Sequence, residues 1–256
     1  MHVLILGGTR DAMNLAAELL ARPHFKATYS LAGRTRRPLP SGLPTRRGGF
    51  GGPSGLADWI KGEGVDVVVD ATHPFAAQMS EHAIQACQAC NIPLARLDRE
   101  PWQPQDGDLW HTAPDLASAA AAIYDHSKSG DRILLATGGR SLSHFEHIKQ
   151  RHFTVRCVDA PEPAPNFDDW TLLTQRGPFK LEDERQLLRE HRIDMIVCKN
   201  SGGSAADAKL QAARELGLPV LMVQRPDVRS AGQAFFHYLA LVDFLESLHT
   251  SSAIPR

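Results

Sequence analysis

Short apolar runs alternate along this chain with stretches in which apolar residues recur every three or four positions. Val3-Leu4-Ile5-Leu6 is unbroken apolar sequence. It passes through Gly7-Gly8 into Leu15, Ala16, Leu19 and Leu20 at helical spacing, which predicts strand, tight turn and helix. Val65-Asp66-Val67-Val68-Val69-Asp70 is β-branched and reads as a strand covered on both faces. Further strands are expected at 26–31, 92–97, 132–136, 153–158, 171–174, 194–198 and 220–223. Helices are expected near 56–61 and 75–90, from about 142, and over 181–191, 205–216 and 233–248. Residues 38–55 hold too much Pro and Gly for a regular element and predict a shaped loop near a ligand. The pattern as a whole predicts an α/β fold of two Rossmann-like parallel-sheet domains, 1–98 and 99–256, with a cleft between them. The final helix, 233–248, could pack on either domain.

Composition narrows the class. The 43% hydrophobic fraction over 256 residues suits a globular protein, and 28 basic against 29 acidic residues leave a net charge of −1. Such a balance attracts neither nucleic acid nor an anionic membrane, so an anionic partner must be met locally. Four scattered cysteines do not make a disulfide framework and suggest a reducing compartment. With a strand expected from residue 2 and no apolar run of membrane-spanning length, the expectation is a soluble cytoplasmic protein, monomeric or weakly homo-oligomeric.

Candidate chemistry gathers where strands end. At Gly7-Gly8-Thr9-Arg10 a glycine pair lets the backbone approach a ligand, and helix-start amides favour phosphate, so a dinucleotide is the expected ligand. The same turn also suits plain strand-to-helix packing. The second strand ends at Ala32-Gly33-Arg34 without a carboxylate; Arg34 there points to the 2′-phosphate of NADPH, although the spacing equally suits a solvated arginine. Asp70, Ala71, Thr72 and His73 follow the next strand as cofactor-site or catalytic candidates, and Thr72 or His73 could instead cap the following helix, with Pro74 in its first turn. In the second half the turns are Thr137-Gly138-Gly139-Arg140 and Lys199-Asn200-Ser201-Gly202-Gly203, the latter expected to open a helix and form an anion site. Arg34, Arg140, Lys199 and Arg225 all fall at strand ends, which suits a polyanionic small substrate.

Other patterns carry less. Tyr124-x-x-x-Lys128 has short-chain dehydrogenase spacing, but Ser129-Gly130-Asp131 ends its helix at once. Cys87-x-x-Cys90 lies near a helix end and reads as packed thiols. His144 and His147 find no third ligand in sequence, and no metal site is expected.

Leu6-Gly7-Gly8-Thr9, Ser30-Leu31-Ala32-Gly33-Arg34, Gly48-Gly49-Phe50-Gly51-Gly52, Asp70 to Ala76, Gly177-Pro178-Phe179 and Lys199 to Gly203 together resemble the precorrin-6A reductase family of cobalamin biosynthesis. Ala208-Lys209-Leu210 and Val223-Gln224-Arg225-Pro226 extend the resemblance. It implies NADPH-dependent reduction of one double bond of precorrin-6A, a tetrapyrrole-derived polycarboxylate, to precorrin-6B. NADH is the possible substitute donor. By the same resemblance residues 1–98 would bind NADP through Gly7, Gly8, Thr9, Arg10, Gly33, Arg34, Asp70, Ala71 and Thr72. Residues 99–256 would bind substrate through Arg140, Lys199, Asn200, Ser201, Gly202, Gly203 and Arg225, with Lys199, Ser201 or His73 as proton donor. The chain departs from the family pattern at Met13, at the extra glycine of Gly138-Gly139 and at Ala206. The alternative within this resemblance is reduction of the cobalt-containing precorrin of the anaerobic pathway. More remote are a short-chain dehydrogenase and a non-catalytic NADP-sensing module.

Overall fold

A computed structural model describes residues 1–33, 35–204, 206–228 and 232–252. In chain order the first elements are β1 (His2–Leu6), α1 (Arg10–Leu20), β2 (Lys26–Leu31), β3 (Thr45–Arg47), α2 (Gly52–Glu63), β4 (Val67–Asp70), α3 (Ala77–Cys90) and β5 (Leu94–Leu97). There follow β6 (Trp110–Ala113), α4 (Leu116–His126), β7 (Arg132–Ala136), a 3₁₀ helix (Gly139–Phe145), β8 (His152–Cys157) and β9 (Trp170–Thr174). The chain closes with α5 (Leu181–Glu190), β10 (Met195–Lys199), α6 (Ala208–Leu216), β11 (Val220–Val223), β12 (Gln233–Phe235) and α7 (Tyr238–Ser252).

Two wholly parallel six-stranded sheets result, ordered β3-β2-β1-β4-β5-β12 and β9-β8-β7-β10-β11-β6. The first is the dinucleotide-fold order 3-2-1-4-5-6, which reverses direction between β1 and β4. The second has the same order about β7 and β10, except that its sixth position is filled from the amino-terminal side. Strand β6 follows β5 in the chain yet joins the second sheet, and β12 follows β11 yet joins the first. Each sheet therefore takes its sixth strand from the segment after the other's fifth.

The compact units are accordingly Met1–Glu100 with the segment from Asp227 onward, and Pro101–Pro226. This corrects the expectation of one continuous domain over 99–256. It also resolves 233–248 into an edge strand and a helix. Strand β12 is three residues long and runs directly into apolar helical sequence, so periodicity alone reads both as one helix. Strands β3 and β6 were likewise hidden, one in the glycine-rich segment and one beyond the expected boundary.

Alternation within the strands explains the two-sided core. Val3, Ile5, Val67 and Val69 face a cluster with Leu15 and Leu19 of α1 and Leu241 and Leu245 of α7, whereas Leu4, Leu6 and Val68 face Leu56, Ile60, Ala83 and Ala86 of α2 and α3. Ile196 and Cys198 pack similarly against Leu188 of α5 and Leu210 of α6. Register then fixes the sites: Leu6 pairs with Asp70, and Ala136 with Cys198, so both turns flanking each reversal start at the same level. No described helix is long and apolar enough to cross a membrane, and no group of three His, Cys, Asp or Glu among the described residues could hold a metal ion.

Candidate functional site

At the first reversal β1 runs into Gly7-Gly8-Thr9. Gly7 donates its N–H to Ser30 O at 2.9 Å, and a Cβ on Gly7 would lie 2.3 Å from Tyr29 Cζ, so the fully packed ring of Tyr29 enforces glycine here. Gly8 has φ of 112°, a region open mainly to glycine, and a Cβ there would meet nothing within 4 Å, leaving bare backbone facing open space. Its N–H, expected to bind phosphate, donates to Tyr29 Oη at 3.0 Å. Burial pushes the Tyr29 pKa up and keeps the hydroxyl protonated. The amides this junction leaves without helical acceptors are then those of the first turn of α1. Thr9 caps that helix, accepting from Ala12 N at 3.1 Å while its hydroxyl donates to Ala71 O at 2.9 Å, which ties the turn after β1 to the turn after β4. Arg10 is exposed. Asp11 is paired with Arg99 at 2.5 Å, which offsets a carboxylate that would repel phosphate.

Gly7→Ala is expected to destabilise the protein by about 1–3 kcal/mol through overpacking, read as a lower urea midpoint at unchanged slope. Combined with Tyr29→Ala, the loss should be smaller than the sum of the two single losses.

After β4, Asp70 is almost fully buried and its carboxylate is a hub. Oδ1 accepts from Thr72 N at 3.1 Å and Thr72 Oγ1 at 2.7 Å; Oδ2 accepts from Ser80 Oγ at 2.5 Å and Arg96 Nη1 at 3.3 Å. Arg96 also bonds Asp98 at 3.1 Å. Asp70 and Thr72 thus bind each other and shape the loop. The expected cap is corrected here: Thr72 gives its hydroxyl to Asp70, α3 starts only at Ala77, and its N-cap, Ala76, makes no side-chain bond. His73 Nδ1 accepts from Phe75 N at 3.2 Å, which puts the proton of the neutral ring on Nε2. Gly33 is exposed, with its Cβ position 3.8 Å from Gly48 N. Arg34, expected at a 2′-phosphate, lies outside the described residues.

At the second reversal Lys199 Nζ donates to Ser141 Oγ at 2.7 Å, and Ser141 donates to Thr137 O at 3.0 Å, so one chain of bonds spans the ends of β7 and β10. Thr137 Oγ1 is buried with no hydrogen-bond partner among the described residues. Arg140 is exposed in the 3₁₀ helix. The Gly202-Gly203 turn does not open a helix, contrary to expectation: α6 begins at Ala208, after a capless Asp207. Three side chains hold this irregular turn instead. The Asn200 amide accepts from Trp102 N at 2.8 Å and donates to Trp102 O at 3.0 Å. Trp102 Nε1 donates to Gly203 O at 2.8 Å, and Arg225 donates to Asn200 O at 2.9 Å and Ser201 O at 3.2 Å. Asn200 and Arg225, expected to contact substrate, thus also shape the turn. Ser201 Oγ turns back to Lys199 O at 3.4 Å.

Beneath the turn lies a charged cluster that sequence reasoning missed. Lys209, 5% exposed, donates to Ala206 O at 2.6 Å and sits 4.4 Å from the Trp102 ring centroid, and burial pushes its pKa down. Arg156 pairs with buried Glu184 at 2.5 Å and stacks on Phe179 at 4.4 Å. Charges on predicted helices and strands read as solvated faces, and nothing in their spacing marks these as buried. Tyr29, Ser141 and Trp102 were missed for the same reason: each acts through a partner distant in sequence.

The remaining motifs are structural. Tyr124 accepts from Lys149 N at 3.2 Å, and Lys128 lies beyond the end of α4. All four cysteines are free, and burial pushes the Cys87 thiol up to about 12.

Two parallel sheets of dinucleotide-fold order, each reversing at a glycine-rich turn, define a Rossmann-like α/β protein. The particular family follows from comparison: the pattern of the family described as "Precorrin-6x reductase CbiJ/CobK" matches residues 2–246, and the chain belongs to that family. It is 49% identical over 231 residues to a precorrin-6A reductase of Rhodococcus erythropolis, covering 90% of this chain and 91% of the relative. A precorrin-6A reductase of Rhodobacter capsulatus is 46% identical over 227 residues, 89% of each chain. A cobalt-precorrin-6A reductase of Methanothermobacter thermautotrophicus is 27% identical, covering 92% and 80%. The solved structure called "CobK precorrin-6A reductase" superposes with a TM-score of 0.90 at 43% identity, covering 96% of both chains.

Proposed function

We propose that this protein reduces one double bond of precorrin-6A with NADPH, yielding precorrin-6B and NADP⁺ with uptake of one proton. The observation that carries the reading is the bare Gly7-Gly8 turn at the reversal of a 3-2-1-4-5-6 sheet, in a chain of this family. Those residues fit a dinucleotide: Gly8 presents backbone to open space, Thr9 and Asp70 hold both flanking turns, and Arg99 neutralises Asp11. The bound cofactor supplies the hydride, and the chain's task is alignment and proton delivery.

In this reading the second unit takes the polycarboxylate. Lys199, aimed by Ser141, meets a substrate carboxylate or delivers the proton, and exposed Arg140 adds charge. Gly202 and Gly203 supply the positive φ angles of the turn, while Asn200 and Arg225 hold its shape. His73 Nε2 and Ser201 Oγ are the other proton-donor candidates. The protein works in the cytoplasm, as a monomer or weak homo-oligomer. Higher identity to precorrin-6A reductases than to the cobalt-precorrin relative favours the metal-free substrate.

The test is cofactor oxidation, followed by the loss of the reduced nicotinamide's near-ultraviolet absorbance, with precorrin-6A and its cobalt form, each with NADPH and NADH. Oxidation of NADPH with the metal-free substrate is expected. No oxidation with either substrate would overturn the enzyme reading, and oxidation only with the cobalt form would reassign the substrate.

A further inference from the structure

The segment between β2 and α2 holds a module that neither glycine turn uses. Strand β3 pairs with β2 so that Ser30 lies opposite Arg46 and Leu31 opposite Arg47, and Gly48 N–H continues the ladder to Leu31 O at 2.9 Å. Arg46 then folds over the loop it precedes. Its Nη1 donates to Ser30 Oγ at 2.9 Å and Gly48 O at 3.0 Å, and its Nη2 donates to Gly49 O at 2.9 Å. The guanidinium lies 3.7 Å from the Phe50 ring centroid, and Phe50 packs edge-on against Trp59 at 5.7 Å. A planar fork that stacks and donates to three oxygens fixes a loop in a way a flexible ammonium does not.

This clamp has a directional consequence. In a trans peptide the N–H points opposite to the C=O of the same unit. Drawing the carbonyls of Gly48 and Gly49 onto Arg46 therefore turns the N–H groups of Gly49 and Phe50 away from it. Among the described residues neither amide has a hydrogen-bond partner. A Cβ on Gly49 would meet nothing within 4 Å, and its φ is not positive, so neither packing nor conformation within the chain calls for glycine there. Two adjacent outward amides beside open space form a small anion nest. It stands next to the carboxyl end of β2, where this sheet order places the adenosine ribose of a dinucleotide.

We infer that the Gly49 and Phe50 amides take the 2′-phosphate of NADPH, with Arg46 as the positioning residue that aims them. The inference rests on the nicotinamide reading above and adds the basis of cofactor choice. Arg46 does not touch the phosphate; its charge is spent on the loop's own carbonyls.

Cofactor dissociation constants, measured by NADPH and NADH fluorescence titration, test this together with thermal melting by circular dichroism. Arg46→Lys, which keeps the charge but loses the fork, should weaken NADPH binding on the order of tenfold and NADH binding much less. Phe50→Leu should shift the same ratio in the same direction. Gly49→Ala should weaken NADPH binding at an unchanged melting temperature, which separates ligand contact from folding. If the wild type binds NADPH well and Arg46→Lys and Gly49→Ala bind both cofactors as the wild type does, the inference fails alone. If the wild type binds neither cofactor, the nicotinamide reading fails and takes the inference with it.

Discussion

Lys199→Ala is expected to lower kcat/KM for the corrin substrate by roughly 100-fold, with NADPH affinity little changed. The ammonium sits at the end of β10, in the second sheet's reversal, and is aimed by Ser141 Oγ at 2.7 Å. Removing it leaves Ser141 bonded to Thr137 O, and leaves the turn held by Trp102, Asn200 and Arg225, so the loss should be functional rather than a failure to fold. Lys199→Arg separates the two roles. A guanidinium keeps the charge for a carboxylate but does not give up its proton near neutrality. If Lys199 binds substrate, Arg should restore most of KM and kcat. If it delivers the proton, Arg should restore KM while kcat stays low. Steady-state kinetics with both substrates varied reads the difference, and wild-type rates in Lys199→Ala would remove the turn from the mechanism.

Asp70→Ala is expected to cost about 3–5 kcal/mol of stability, because it strips a buried carboxylate from Arg96, Ser80 and Thr72 together. The hub also shapes the loop leading to His73, so NADPH binding should weaken beyond what unfolding explains. Chemical denaturation measures the first effect, and cofactor titration at low temperature, where the variant is still folded, measures the second. Asp70→Asn keeps the shape and two acceptor lone pairs, and should retain part of both. A fully stable Asp70→Ala with normal cofactor affinity would show that the hub is dispensable.

Both variants act on groups whose candidacy was legible from position and whose role was not. Strand ends marked Gly7, Asp70 and Lys199, the first and last of them in glycine-bearing turns, because apolar runs and helical periodicity are local properties. Position at a strand end marks Asp70 as a cofactor-site candidate and gives no sign of its four donors, which come from Thr72, ten residues on at Ser80, and from the neighbouring strand at Arg96. Sequence position marks Asn200 as a candidate substrate contact and gives no sign that it brackets Trp102, 98 positions away in sequence. The Gly202-Gly203 turn was expected at a helix start, yet α6 begins five residues after Gly203. Glycines announce a turn without saying how long the chain stays irregular after it.

By itself the sequence determined the α/β alternation, the central strands, the two glycine-rich reversals and the family resemblance, since these depend on apolar period and on residue types close together in the chain. Tertiary structure alone decided where the short edge strands go. Strands such as β12, three residues long, carry too little pattern to name their sheet, and only pairing with Ala95, Arg96 and Leu97 assigns it. Tertiary structure also decided which polar groups serve the fold: Tyr29 under Gly8, Lys209 on Trp102 and Arg46 on Phe50 are each set by contacts that no local period encodes.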